Sequence, residues 1–131
     1  MTGEAQYDTY YIDNALEKID SGVGTGAIVE ETTITRNVKG EGPFHDLSVH
    51  CLYHWSLAEA TRHSNGSCVH TDKDGDSVFA TFDDNTTYLM GGTGKYKCIT
   101  GTARYTETQL HDTVGGRQAL IVNHKATWQI K

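Results

Sequence analysis

The sequence contains a single proline, no long apolar run and fewer basic than acidic residues. Its apolar stretches fall short of the roughly 18 residues that a membrane-spanning helix needs, so no membrane partner is expected. The 17 acidic and 11 basic residues give a formal charge of −6. That balance disfavours nucleic acid, which proteins bind through basic patches. Residues 1–5 contain neither a basic nor an apolar segment, so we expect no signal peptide.

Cysteine is equally scarce. Cys51, Cys68 and Cys98 form an odd set without Cys-x-x-Cys spacing, which disfavours a disulfide framework or a zinc site. We therefore expect reduced thiols and a cytoplasmic location.

A chain of 131 residues is the right length for one domain, which we expect to span residues 1–131. Its 14 glycines and its many threonines, tyrosines and valines favour an all-β fold. A hydrophobic content of 37% suits a thin-walled barrel better than a thick layered core. Eight segments are predicted to be strands: residues 7–12, 27–37, 47–56, 66–73, 76–82, 86–90, 102–109 and 117–130. Short turns between them, with Gly115-Gly116 before the last, predict a closed antiparallel eight-stranded barrel of calycin-like type.

Alternation of side chains predicts which residues face the interior of the barrel. One face of the third strand carries Leu47, Val49, Cys51, Tyr53 and Trp55, and one face of the last carries Leu120, Val122, His124, Ala126, Trp128 and Ile130. Asp74-Gly75 is a two-residue hairpin signal. With that turn, the inward residues of the flanking strands would be Val69, Thr71, Val78, Ala80 and Phe82.

A glycine-rich stretch runs from Gly91 to Gly101 between two predicted strands. It is neither a phosphate loop nor a dinucleotide fingerprint, because no helix follows it. Gly91-Gly92-Thr93-Gly94-Lys95-Tyr96 with Gly101 resembles the segment that joins two late strands in the allene oxide cyclase and dirigent barrels. The segments at residues 44–51 and 71–76 also resemble small bacterial members of that superfamily with no assigned function.

This resemblance implies a barrel in which Tyr96 packs under one end. The plant members of the superfamily guide cyclisation of a fatty epoxide, or coupling of phenolic radicals, without a cofactor. By that implication, a small apolar or aromatic ligand would bind inside the barrel.

Four inward polar residues are candidate catalytic groups. His124 lies mid-strand between Val122 and Ala126, where a buried imidazole could act as an acid or base, or could simply be satisfied by a hydroxyl. Glu30 shares a face with Ile28 and Ile34, and inside a barrel its pKa would be raised. Only one of Glu30 and Glu31 can face inward, and both could instead be solvated. Tyr53 and Tyr105, the latter beside Glu107, could hydrogen-bond a substrate oxygen or be ordinary core residues.

Six further residues are predicted to form the apolar wall of a substrate site. Cys51 is better interpreted as a small buried hydrophobe than as a nucleophile. The two indole rings would suit an aromatic substrate. The predicted wall consists of Cys51, Trp55, Val69, Phe82, Val122 and Trp128.

No metal or cofactor is predicted, although haem bound through one histidine is conceivable. His50 and His54 are separated by about 13 Å along a strand, too far to chelate one ion. Asp72, Asp74 and Asp76 lack the glycine and distal glutamate of a calcium loop and are better interpreted as turn residues. An outward patch of Leu52, His54, His70 and Phe79 would favour a homo-oligomer, either a dimer or a trimer.

These patterns leave three functions open. The first is a cofactor-independent isomerase, cyclase or lyase that acts by acid/base catalysis on a small apolar or aromatic molecule. The second is a non-catalytic, lipocalin-like barrel that binds a hydrophobic ligand. The third is a barrel filled by its own side chains, whose outer patch mediates assembly.

Overall fold

The computed structural model describes residues 1–111 and 117–131, and these form a closed antiparallel barrel of eight strands. Each strand pairs with the next along the chain, and the last pairs with the first. The predicted all-β barrel is therefore confirmed, while the predicted turn at Gly115-Gly116 lies outside the described residues. The strands are β1 (Thr2–Asp20), β2 (Gly24–Asn37), β3 (Leu47–Ala58), β4 (Thr61–Thr71), β5 (Ser77–Asp83), β6 (Thr86–Gly92), β7 (Ile99–Gln109) and β8 (Ala119–Ile130).

The predicted alternation holds on β3, β7 and β8. Val49, Cys51 and Tyr53 are buried on β3, as are Val122 and His124 on β8, while their neighbours in sequence are more exposed. Period-two patterning places these residues correctly because one face of each strand is buried.

On β2 the prediction of the inward face is wrong. Asp13 of β1 pairs with Glu31, and both are buried. Glu30 lies on the outer face, with Oε2 3.8 Å from His50 Nε2. The outer face also carries the more hydrophobic residues, Ile28 and Ile34. The inner face carries small residues and is stabilised by a buried 2.7 Å hydrogen bond between the hydroxyl groups of Thr9 and Thr35. Hydropathy patterns do not detect such a contact.

The register of the β4–β5 hairpin is also corrected. Asp74-Gly75 lies inside a five-residue loop rather than forming a two-residue turn, so Thr71 pairs with Ser77. The Asp72 carboxylate accepts the backbone N–H groups of Asp74 and Asp76 at 2.9 and 3.1 Å, which stabilises the longer loop. Shifting the strand pairing by one residue exchanges the inner and outer faces of β4. Val69 is therefore 40% exposed on the outer face, and His70 is buried inside.

Cys51 and Cys68 form a disulfide, so the prediction that both thiols are reduced is wrong. The two cysteines face each other across β3 and β4, a juxtaposition that depends on the pairing register. Cys98 is free and exposed. The predicted cytoplasmic location loses the support that it took from reduced thiols. Within the described part of the chain, none of the helices is long and apolar enough to cross a membrane.

One half of the barrel is filled by side chains. Tyr7 stacks on Phe44 in this half, with ring centroids 4.8 Å apart. Tyr96, carried by a short 3-10 turn at Gly94–Tyr96, packs against the same cluster from the glycine-rich stretch. The buried members of this lower core are Tyr7, Phe44, Leu47, Val78, Ala80, Leu89, Ile99, Ala103 and Ala126.

Candidate functional site

The other half of the barrel encloses a cavity of about 220 Å³. A void of this size contradicts the interpretation of a barrel filled entirely by its own side chains. An apolar cavity of about 150 Å³ holds benzene, so this one has room for a single ring with a short substituent. Its lining residues are Tyr11, Glu31, Cys51, Tyr53, Arg62, Cys68, His70, Phe82, Thr87, Tyr105, Glu107, Gln109, Gln118, Leu120, Val122 and His124.

A pair of carboxyl groups lies at one side of this cavity. Asp13 and Glu31 are cross-strand partners on β1 and β2, and Glu31 is only 5% exposed. Tyr53 donates its hydroxyl to Asp13 Oδ2 at 2.6 Å. Asp13 Oδ1 and Glu31 Oε2 are buried with no hydrogen-bond partner among the described residues. Both are acceptors when ionised, so a proton shared between the two carboxyls would satisfy them.

Burial changes the chemistry of this pair. Loss of solvation, with a smaller contribution from the neighbouring Asp13 charge, raises the pKa of Glu31 to about 9. Burial raises the pKa of Asp13 as well, although the hydrogen bond from Tyr53 opposes that shift. Two close carboxyls cannot both ionise cheaply in such surroundings. The pair therefore retains a proton at neutral pH and can donate it to a bound molecule.

Aromatic rings form a continuous wall beside the carboxyl pair. Phe82 contacts Tyr53 with ring centroids 5.8 Å apart and Tyr105 at 6.3 Å, the second contact being edge-on. Tyr11 lies near the disulfide, with its hydroxyl 3.8 Å from Cys51 Sγ. The Tyr105 hydroxyl is buried and finds no partner in the described chain. It is thus available to a ligand.

Two histidines from different strands also line the cavity. His70 and His124 are 4% and 5% exposed, and burial lowers their pKa values to about 4 and about 3. Both rings are therefore neutral at pH 7. His124 stacks on Tyr7 with centroids 4.5 Å apart, which fixes its plane above the lower core. In each ring Nδ1 is buried and unpartnered within residues 1–111 and 117–131.

Charged residues occur at the rim of the cavity. Arg62 of β4 lies 3.7 Å from Glu107 of β7, and both side chains are partly exposed. The Arg62 guanidinium also lies over Trp55, 5.8 Å from the ring centroid. Trp55 therefore lies beside the rim, and it is not among the residues that line the cavity.

The structure brings together most, but not all, of the predicted site residues. His124, Tyr53, Tyr105, Cys51, Phe82 and Val122 all line the cavity. Trp128 instead lines a separate groove at the opposite end of the barrel, which corrects its predicted place in the substrate wall. Trp55 is at the rim, and Glu30 and Val69 are on the outside of the barrel for the register reasons given above.

Asp13, Glu31 and His70 are among the cavity-region residues that the sequence patterns missed. Asp13 follows the predicted first strand, residues 7–12, and precedes residues 14–19, which by sequence could continue that strand or form a helical turn. The structure shows that the strand continues, which places Asp13 within β1. Glu31 was missed because its neighbour Glu30 was predicted to face inward instead. His70 was placed outside by the misjudged loop. The signal that could have found Glu31 is its alternation with Ala27, Val29 and Thr35.

The three aspartates of the β4–β5 loop hold a lysine. Lys95 Nζ is 2.7 Å from Asp72 and 2.8 Å from Asp74, and its backbone N–H donates to Asp76 at 3.2 Å. The lysine thus supplies the positive charge between these carboxylates. Their interpretation as turn residues is supported by the backbone N–H groups that Asp72 accepts.

Comparison with known proteins adds information about the fold. No family model and no curated protein matches the sequence. Among solved structures, the pterocarpan synthase dirigent protein GePTS1 superposes with a TM-score of 0.55 at 11% identity, covering 99% of this chain and 87% of that one. The match does not test the allene oxide cyclase part of the predicted resemblance. This chain therefore has the fold of a dirigent-like eight-stranded barrel.

Proposed function

We propose that the protein is a cofactor-independent isomerase, cyclase or lyase that transfers a proton to or from a small aromatic or apolar molecule in the cavity. The observation that carries the proposal is the buried Asp13–Glu31 pair, which holds an exchangeable proton beside an enclosed void. A proton donor poised near the working pH is what general acid/base catalysis requires.

Each cavity residue has a separate role in this proposal. Glu31 is the group that exchanges the proton, and Asp13 is a positioning residue that shares it. Tyr53 orients Asp13 through the 2.6 Å hydrogen bond. His124 Nδ1 and the Tyr105 hydroxyl, which have no partner in the described chain, would hydrogen-bond the substrate without carrying charge. Phe82 and Val122 provide apolar wall.

A non-catalytic, lipocalin-like binding barrel is the alternative. It would use the same aromatic wall, and the carboxyl pair would then serve only to select the ligand. The dirigent protein with the similar fold is described as a pterocarpan synthase, which favours a small phenolic or related aromatic ligand here. Turnover separates the two functions.

The test is proton exchange at carbon. Small aromatic ketones and enones would be incubated with the protein in D₂O, and deuterium incorporation followed by NMR. Under the proposal, Glu31→Gln reduces the exchange rate at least about 100-fold. Glu30→Gln, the same chemical change one residue away on the outer face, leaves the rate unchanged. Binding without exchange would support the lipocalin-like alternative instead.

We also propose that the protein forms a dimer or trimer through the outer surface of β3, β4 and β5. Val69 pairs directly with Phe79, Leu52 lies one strand away, and all three are exposed. Exposed apolar residues that adjoin one another on a sheet are typical of interfaces. Phe79→Lys should convert the assembly to a monomer in sedimentation experiments, whereas Tyr88→Lys on β6 serves as a control.

A further inference from the structure

Acidic side chains outnumber basic ones in the lining of the cavity, and the excess of acidic groups is largest at its buried end. Of the charged residues that line it in the described chain, Glu31 and Glu107 are acidic and Arg62 is basic. Arg62 is already placed 3.7 Å from Glu107 at the rim. That leaves Glu31, with Asp13 behind it, lacking an ion-pair partner among residues 1–111 and 117–131.

A buried carboxyl without a counter-charge has two means of avoiding the cost of its charge. It can keep its proton, as the raised pKa of Glu31 indicates for the empty cavity, or it can receive a cation from outside. The second state is accessible because Glu31 lines a void rather than being packed on all sides.

The walls of the void also favour a positive charge. Tyr53, Phe82 and Tyr105 form a chain of ring contacts next to Glu31, and Tyr11 adds a fourth ring. The faces of aromatic rings attract cations, most strongly where water is excluded. His70 and His124 are neutral, so they add acceptor nitrogens to the site without adding repulsion.

We infer that the cavity takes a small aromatic amine, bound as its ammonium ion, with the cationic end against the Glu31 carboxylate and the ring against Phe82 and Tyr105. This inference rests on the proposed function and names its ligand class. On binding, the ammonium N–H groups replace the proton of the carboxyl pair, which is released to solvent. One proton therefore leaves the protein for each cation that enters.

Several titratable or charged groups face the carboxyl pair from the surrounding strands, and proton release must be assigned among them. The two histidines are already neutral, and the tyrosine hydroxyls keep their protons, because burial raises their pKa values. Burial also raises the pKa of Glu107, but Arg62, 3.7 Å away, opposes that shift. Glu31 has no such counter-charge and is therefore the expected source of the proton. The groups are Asp13 and Tyr11 of β1, Tyr53 of β3, Arg62 and His70 of β4, Tyr105 and Glu107 of β7, and His124 of β8.

The test uses three probes of similar size and different charge: 2-phenylethylamine, 2-phenylethanol and phenylacetate. Isothermal titration calorimetry at pH 7, in two buffers of different ionisation enthalpy, measures both affinity and proton release. We expect the amine to bind at least tenfold more tightly than the alcohol, with phenylacetate weakest, and only the amine to release close to one proton. In Glu31→Gln the preference for the amine and the proton release should both disappear, while Glu30→Gln should keep them.

Three results would overturn the inference. If the alcohol binds as tightly as the amine, or if Glu31→Gln retains the preference, the ligand is not selected by charge at Glu31. The proposed acid/base function survives that result, provided that the alcohol or another neutral probe binds in the wild type. If none of the three probes binds, the ligand class fails, and the acid/base function is then decided by the exchange experiment with ketones and enones.

Discussion

The hydroxyl of Tyr53 donates a 2.6 Å hydrogen bond to Asp13 Oδ2, joining two residues that are 40 positions apart in the chain. The bond crosses from β3 to β1 inside the barrel wall and passes beside Glu31 on the strand between them. Because the tyrosine donates to one carboxyl, the proton that remains on the pair is held at the Glu31 side, which lines the cavity.

The buried Glu31 carboxyl should make the free energy of unfolding depend on pH. Its folded-state pKa of about 9 lies above the value near 4.3 expected in the unfolded chain. Between these values the folded protein binds more protons, so the free energy of unfolding falls as pH rises, by up to about 1.4 kcal/mol per pH unit.

Glu31→Gln removes that titration, and the variant should therefore be more stable than the wild type at pH 8.5. Urea denaturation at pH 5.5, 7 and 8.5 measures the slope, part of which remains because burial also raises the pKa of Asp13. Glu30→Gln should follow the wild type. Equal slopes in all three proteins would show that Glu31 is ionised when folded.

The two cavity histidines should produce the opposite dependence in acid. Burial lowers the pKa values of His70 and His124 below the unfolded value near 6.5, so the unfolded chain binds more protons between pH 6.5 and 4. The contribution of the two histidines to the free energy of unfolding therefore falls as pH decreases through this window, opposite in sign to the contribution of Glu31. His70→Gln should flatten the acid limb of the stability curve. His54→Gln, on the outer face of β3, should leave it intact; equal changes in both variants would contradict burial of His70.

The disulfide is expected to contribute to stability and to leave a single reactive thiol. Cys51 and Cys68 are 17 residues apart, and a loop of this length is stabilised by about 2–4 kcal/mol. The double variant Cys51→Ala, Cys68→Ala should show that loss in urea denaturation, whereas Cys98→Ser should not. Thiol titration of the unfolded wild type should find one free cysteine per chain. Finding three would refute the bridge.

The glycine-rich stretch has a structural requirement that a pair of substitutions can isolate. Gly94 and Gly75 both have positive φ, at 52° and 84°, but only at Gly94 would a Cβ collide with the Asp76 carboxylate. Gly75→Ala should cost about 1–2 kcal/mol from backbone strain alone. Gly94→Ala should cost clearly more in thermal or urea denaturation, because the Asp76 contact with the Lys95 amide must also break. Equal losses would rule out the collision.

The sequence predicted that the strands exist, but it predicted the pairing register between them only in part. Residues 47–56 and 117–130 carry large apolar side chains on one face, so period two alone orients them correctly. The threonine-rich segment 27–37 carries its most hydrophobic residues, Ile28 and Ile34, on the outer face, so hydropathy misplaced Glu30 on the inside. The error at Val69 and His70 arose because the loop adds two residues before Asp74-Gly75 and one after it, which shifts the pairing by one residue.

The sequence by itself determined a β-barrel, the glycine-rich closure near Tyr96 and the inward direction of His124, because these follow from local patterning. Only the tertiary structure decided that Asp13 meets Glu31, that Cys51 bonds Cys68, and that a void remains beside them. These features depend on which residue pairs with which across strands distant in the chain. A shift of one residue in strand pairing moves a carboxyl group from the cavity to solvent. In the cavity that group is a proton donor, whereas in solvent it is a surface charge.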